Sequence, residues 1–295
     1  MPAWRIHGPR DLEHLSGPFD LIGDVHGCLT ELVELLDKLG WDITVDERGR
    51  PDGASHPEGR LAVFVGDLVD RGPDTPGVLR LVMGMCAAGH AVSVMGNHDW
   101  KLARALGGAD VVVRHGLAES LEQIAAVAGG RPVRADEPLP DGGASTSSPS
   151  HLPHPAEPDF PERVRRFLAD LPIHLLLDGG ALVVVHAGLK EEFHGRESGA
   201  VRSFALYGDV GGRYTPEGMP IRREWERSYR GAARVVYGHW PVTRAAWVNN
   251  TMCLDTGCVF GETLTALRYP ELEIVDVDAH GDWWEPSRPR REPAL

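Results

Sequence analysis

The sequence predicts an α/β fold, on three observations. Apolar runs alternate with helix-periodic stretches through the first hundred residues, and short apolar runs dominate the second half. The 42% hydrophobic and 25% charged fractions over 295 residues are those of a globular chain with a sizeable core. Phe19 to Gly23 is a short apolar run that reads as a buried strand. Thr30 to Leu39 sets Leu32, Val33, Leu35, Leu36 and Leu39 at helical spacing, and Gly40 stops the helix. Leu61 to Val65 reads as a second strand. Asp74 is a candidate N-cap, with Pro76 in the first turn of a helix that ends near Gly89. Ala91 to Met95 reads as a third strand. Strand, helix, strand, helix, strand in this order implies right-handed βαβ units and a largely parallel sheet.

Further helices are expected over His98–Leu106, Gly116–Val127 and Pro161–Asp170. Residues 129–161 are rich in Pro, Gly and Ser with few large apolar side chains, so a flexible insertion or lid is expected there. Later strands are expected at His174–Leu177, Ala181–Val185, Arg234–Tyr237, Ala246–Val248, Met252–Leu254, Thr263–Tyr269 and Leu272–Val277. Residues 282–295 read as a Pro- and Arg-rich tail. There is no internal repeat. Candidate site residues fall on both sides of the insertion, so 1–295 reads as a single domain.

Composition narrows the function. No apolar run approaches the roughly 20 residues that a membrane span needs. The first ten residues lack the apolar core of a secretory signal, so the cytoplasm is the expected location. Cys28, Cys86, Cys253 and Cys258 form no CxxC pair and are expected to be free thiols. The net charge of −13 and the absence of a basic stripe argue against gripping a long nucleic acid, though not against a short phosphorylated substrate or a nucleic-acid end. None of the three lysines (Lys38, Lys101, Lys190) follows a glycine, so a P-loop kinase is excluded. The sequence does not give the oligomeric state.

Five segments carry chemistry: Gly23-Asp24-Val25-His26-Gly27, Gly66-Asp67-Leu68-Val69-Asp70-Arg71-Gly72, Gly96-Asn97-His98-Asp99, Val185-His186-Ala187-Gly188 and Tyr237-Gly238-His239. Each follows an apolar run, turns at glycine and presents Asp, His or Asn just beyond the strand end, where ligands bind in open α/β sheets. Carboxylate, imidazole and amide oxygen suit hard or borderline divalent cations. Asp24 and His26 can reach one ion, while Asn97, His186 and His239 are available to a second. Asp67 is the natural bridge, and two ions roughly 3.5–4 Å apart can activate water between them. Manganese is the first expectation, with iron, zinc, nickel or magnesium as alternatives.

Taken together, GDVHG, GDLVDRG, GNHD, HAG and GH resemble the calcineurin-like metallophosphoesterase superfamily, in the branch that includes the phosphoprotein phosphatases. The resemblance spans roughly Phe19 to Val277. It implies two mixed β-sheets packed as a sandwich flanked by helices, with a binuclear site at the strand C-terminal ends. It implies Asp24, His26 and Asp67 on one metal, and Asp67, Asn97, His186 and His239 mainly on the other. It also implies His98 as general acid, oriented by Asp70, with Arg71 on the phosphate. These roles are chemically sensible. Histidine titrates near neutrality, a carboxylate fixes its tautomer, and arginine forks onto two phosphate oxygens. The expected nucleophile is a metal-bound hydroxide, with no covalent intermediate.

Further stretches, among them HGLAESL from His115, HAGLKEE from His186 and CLDTGCVFGETLTALRYP from Cys253, are similar to the phosphatase module of bacterial polynucleotide kinase-phosphatases, to bis(5′-nucleosyl)-tetraphosphatases and to small bacterial protein phosphatases. The first match implies Asp255 beside a metal-ligand histidine. The expected activity is hydrolysis of phosphate monoesters, on nucleotides or on 2′- or 3′-phosphate RNA ends. The alternatives are tetraphosphate cleavage and protein dephosphorylation. Trp240 stands where the family usually has Thr, and is either a substrate contact or a packed surface aromatic. His151 and His154 have HxxH spacing, but in so Pro-rich a setting a solvated pair is the expectation.

Overall fold

The computed structural model describes residues 10–130, 156–212, 222–286 and 289–293. His151 and His154 and most of the 129–161 insertion lie outside them. In chain order the elements are β1 (Arg10–Leu12), β2 (Phe19–Ile22), α1 (Leu29–Leu39), β3 (Asp42–Val45), β4 (Pro51–Ser55), β5 (Leu61–Phe64), α2 (Thr75–Ala87), β6 (Ala91–Ser93) and α3 (Asn97–Leu106). There follow α4 (Leu117–Ala128), α5 (Phe160–Ala169), β7 (His174–Leu177), β8 (Leu182–Val185), α6 (Gly199–Tyr207), β9 (Arg234–Tyr237), β10 (Trp247–Val248), β11 (Thr251–Cys253), β12 (Thr263–Tyr269) and β13 (Glu273–Asp278).

Two mixed sheets form the centre. One runs β13-β12-β2-β5-β6, with β2, β5 and β6 parallel and β12 antiparallel to β2. The other runs β1-β7-β8-β9-β11-β10, with β8, β9 and β11 parallel. Alternation along each strand decides what it buries. Leu21 of β2, Val63 of β5, Val184 of β8, Val236 of β9 and Leu267 of β12 join one buried cluster drawn from both sheets, which is the sandwich interior. Their neighbours Ile22, Phe64, Val183, Val185 and Val235 face outward, onto a second cluster with Leu32, Leu35 and Leu36 of α1, Leu79 and Val82 of α2 and Phe204 of α6. Both faces of the central strands are covered, which is why they read as continuous apolar runs.

The cap signals hold. Gly40 ends α1 in the left-handed region, and the Asp74 carboxylate accepts the Gly77 N–H at 2.8 Å at the start of α2. The third strand is shorter than expected. It ends at Ser93, because the Met95 N–H leaves the sheet for the Pro172 carbonyl at 2.7 Å. The β3–β4 hairpin escaped the sequence reading, since its strands carry Asp, Pro, Gly and Ser in place of an apolar run. It packs on α2 where Gly84 lets the chains touch, as a Cβ there would lie 1.6 Å from the Asp52 carbonyl oxygen. Helix α6 was also unforeseen.

Two charged networks lock the elements. Asp20, fully buried in β2, accepts Arg60 Nε at 2.8 Å and Trp41 Nε1 at 2.9 Å. Glu157, in the described end of the 129–161 insertion, gathers Arg80 of α2 at 2.9 Å and Arg50 beside β4 at 3.1 Å. The C-terminal stretch is docked where described. Arg291 bonds Glu226 at 2.7 Å, and its backbone pairs with Pro241 and Thr243. Among the described residues no helix is long and apolar enough to cross a membrane.

Candidate metal centre and active site

The parallel strands of both sheets end at one rim, and every candidate residue sits there. Asp24 and His26 follow β2, Asp67, Asp70 and Arg71 follow β5, and Asn97 and His98 open α3 after β6. From the other sheet come His186 after β8, His239 after β9 and Asp255 after β11. Donor atoms of His26, Asp67 and His98 lie within 4.8 Å of one another, and so do those of Asp67, His186 and His239. Asp67 is common to both groups.

Backbone bonds aim the rings. His26 and His186 place Nδ1 at 2.8 Å from the Val69 carbonyl and 3.0 Å from the Val65 carbonyl, so each donates there and turns a bare Nε2 inward. His186 Nε2 then lies 3.0 Å from Asn97 Oδ1, 3.0 Å from His239 Nδ1 and 3.3 Å from Asp67 Oδ2. A ring proton can bridge one of these contacts, whereas a divalent cation satisfies them together. Asp24 takes the His239 N–H on Oδ2 at 2.9 Å, and its buried Oδ1 has no protein partner. Arg71 donates to Nε2 of His26 at 2.8 Å and of His98 at 2.9 Å, a cation already seated among metal-type donors. His98 Nδ1 meets Asp70 Oδ2 at 2.7 Å.

The turns that converge here are tightly wound. His26, Asp67, Asp70, Arg71 and His239 all have positive φ, between 46° and 77°. Such backbone costs of the order of 1 kcal/mol per residue and persists where the surroundings over-determine it, typically at functional sites. Gly238 allows the two sheets to meet, since a Cβ there would stand 1.8 Å from Asp24 Oδ1.

The profile of the calcineurin-like phosphoesterases matches residues 17–275. The chain belongs to that family. As a calcineurin-like phosphoesterase it is a phosphoric ester hydrolase. It is 40% identical to bis(5′-nucleosyl)-tetraphosphatase PrpE (asymmetrical) of Anoxybacillus flavithermus over 259 residues, 88% of this chain and 93% of that protein. The protein of the same name from Bacillus subtilis is 40% identical over the same shares. A crystal structure assigned to a diadenosine tetraphosphatase superposes with a TM-score of 0.58 at 24% identity, covering 93% of this chain and 100% of that one. A serine/threonine phosphatase from Saccharomyces cerevisiae gives 0.53 at 13% identity, covering 96% and 87%.

Charge in this phosphoesterase is arranged for cations. Burial, then Asp255 and Asp67, push Asp24 well above the usual carboxylate range. Burial lifts Asp255 to about 6. Against its own burial, Asp67 is held well below that range by His186 and His98. Three mutually repelling carboxylates in one buried space are stabilised by positive charge from outside. Burial pushes Asp70 up to about 7, while burial and Arg71 push His98 down to about 3. Both shifts favour a neutral pair in the cation-free protein.

Asp255 is buried at the same rim, its Oδ1 accepting the Gly257 N–H at 3.2 Å, and its charge reaches Asp24. Trp240 follows His239 with its ring 4.0 Å below the Arg291 guanidinium. Asp99 was quoted in its motif but given no role. It accepts the N–H groups of Gly96, Asp67 and Leu68 at 2.9, 2.8 and 3.0 Å, tying two site turns together. Ser120, part of the HGLAESL stretch but given no role there, accepts the Asp70 N–H at 3.1 Å. Behind the His26 turn, Cys28, Glu31 and Cys258 form a third buried group of donor atoms. Burial raises the Cys28 thiol well above its usual value, which keeps it protonated and unreactive.

Proposed function

We propose that this phosphoesterase cleaves bis(5′-nucleosyl) tetraphosphates asymmetrically, giving a nucleoside triphosphate and a monophosphate. The observation that carries this is the 40% identity over 93% of relatives bearing that activity in their names. The reading takes up the alternative named from the sequence, a phosphoanhydride, and the monoester hydrolysis first expected stays compatible with the same family and rim.

In this reading two divalent cations, manganese first, fit the converging donors. Asp24, His26 and Asp67 would hold one, Asp67, Asn97, His186 and His239 the other, with Asp255 supporting the set. Bound there, the cations supply positive charge against the phosphoryl oxygens and acidify water. Asp67 is fitted to be shared because both donor groups include it. Arg71 forks onto the phosphate from beside His26 and His98. Asp70 accepts the His98 Nδ1 proton and fixes the ring, so that Nε2 faces the phosphate and would carry a proton only to an alkoxide leaving group such as a monoester's. The cytoplasm fits the free state of all four cysteines.

The test uses purified protein with Mn²⁺ and bis(5′-adenosyl) tetraphosphate, products resolved by anion exchange. ATP and AMP in equal amounts are expected. Release of two ADP, or turnover of nucleoside monophosphates far exceeding that of the dinucleotide, overturns the proposal.

A further inference from the structure

Arg71 meets more than histidines. Its guanidinium lies over the face of Phe260, with Cζ 5.4 Å from the ring centroid. That is within the roughly 6 Å at which a cation is drawn to an aromatic face. Phe260 is partly buried and follows β11 in the same loop as Asp255. The loop is tightly wound. The Phe260 N–H donates to the Gly257 carbonyl at 2.9 Å, and the Gly261 N–H to the Cys258 carbonyl at 3.0 Å. Val259 is fastened from outside, its carbonyl accepting the N–H groups of Trp283 and Trp284 at 3.1 and 3.0 Å. The ring is therefore held in place by its own backbone.

Arg71, by contrast, has a fixed root and an unsettled head. Its backbone sits at φ 74°, and Gly116 packs so close that a Cβ there would stand 2.2 Å from the Arg71 backbone nitrogen. Its two terminal nitrogens donate to Nε2 of His26 and of His98, while its buried Nε has no acceptor. The bond to His26 uses the lone pair that a cation needs, so Arg71 gives it up when the metal site fills. The Phe260 face is in no such conflict, because it spends no imidazole lone pair.

We propose that Phe260 is a positioning residue for Arg71, its ring carrying the guanidinium at the rim so that the N–H groups stay free to fork onto a phosphate. The physical reason is a division between face and edge. Cation–π attraction acts through the face of the guanidinium and leaves the donors in its plane unspent. A carboxylate in the same place would occupy two of those donors and cancel the charge. An aliphatic side chain would let the guanidinium range over its rotamers, and each binding event would bear the cost of ordering it. The inference rests on Arg71 binding phosphate as proposed above, and on no choice between phosphoanhydride and monoester.

The test measures, by titration calorimetry, inorganic phosphate binding to the Mn²⁺-loaded protein and Mn²⁺ binding to the cation-free protein. Phe260→Leu keeps apolar bulk and removes the aromatic face. It should weaken phosphate about three- to tenfold while moving Mn²⁺ affinity less than about twofold. Phe260→Tyr should bring phosphate binding back to within about twofold of the wild type. Unchanged phosphate affinity in Phe260→Leu overturns the proposal. A matching loss of Mn²⁺ affinity also overturns it, since the ring would then act through the Asp255 loop, and so does failure of Phe260→Tyr to restore binding. Arg71→Ala is the reference. If it too leaves phosphate binding intact, the phosphate role of Arg71 falls together with the inference, whereas a loss confined to Arg71→Ala overturns the part of Phe260 alone.

Discussion

His98 and Asp70 meet at 2.7 Å, and what that contact is worth depends on the leaving group. A nucleotide leaves as a phosphate oxygen whose last ionisation lies near 6–7, so it departs without a proton. A sugar hydroxyl cannot. His98→Asn should therefore slow hydrolysis of nucleoside 3′-monophosphates by about 10²–10⁴, yet slow tetraphosphate cleavage by less than about tenfold. Steady-state rates on both substrates check this, and equal losses would remove His98 from the acid role. His174, buried in β7, is a different case. Burial pushes it down to about 4, whereas an unfolded histidine titrates near 6.5. As pH falls the unfolded chain takes the proton first, so this group's contribution is whole above about 6.5. It is lost towards pH 4, by about 3 kcal/mol at most. His174→Asn should flatten the decline of unfolding free energy between pH 6.5 and 4.5, measured in urea, and parallel curves for the two proteins would refute it. At this scale the sequence was informative wherever a residue follows an apolar run and a glycine turn, as with Asp24, Asp67 and His239. It was silent where a residue works through distant backbone. Ser120 reaches Asp70 from α4, and its place in the HGLAESL stretch did not disclose that contact.

Between residue and molecule, ion pairs decide how elements sit. Asp20 and Arg60 tie β2 to the start of β5, and with Trp41 they hold the strand that delivers Asp24. Asp20→Ala would strand Arg60, only 4% exposed, without its buried partner, and should cost about 3–5 kcal/mol of stability in a urea titration. A loss within experimental error would show that Glu271 alone suffices for Arg60. Elements built on apolar periodicity, such as α1, α2 and β12, were legible because burial itself writes the pattern. The β3–β4 hairpin was not, since it is held by a close approach at Gly84 and by ion pairs with residues far along the chain. The C-terminal stretch read as a tail for the same reason. Its anchors are Arg291 against Glu226 and Trp240 and Arg290 against Glu262, tertiary contacts with no local period.

For the molecule as a whole, the cation-free protein carries a built-in repulsion among Asp24, Asp67 and Asp255. Binding of Mn²⁺ at about a hundred times its dissociation constant should add about 2.7 kcal/mol, which is several degrees of melting temperature for a chain of this size. Asp24→Asn should leave the cation-free protein as stable as the wild type or more so, while abolishing most of the Mn²⁺-induced rise. Calorimetry with and without chelator reads both, and a full rise in the variant would refute the arrangement. Fold and rim were legible at this scale because five motifs in order leave few ways to assemble. The depth of the electrostatic conflict was not, because it arises only when the sheets close.

That closure has a consequence. Asp24, Asp67 and Asn97 ride on one leaf of the sandwich, His186, His239 and Asp255 on the other. Asp24, His26 and Asp67 share one leaf, but the second donor set needs Asp67 and Asn97 from that leaf and His186 and His239 from the other, so the rim doubles as a gauge of how well the halves are mated. Any perturbation that lets them slip by an ångström would be felt as lost turnover while spectra still report native strands and helices.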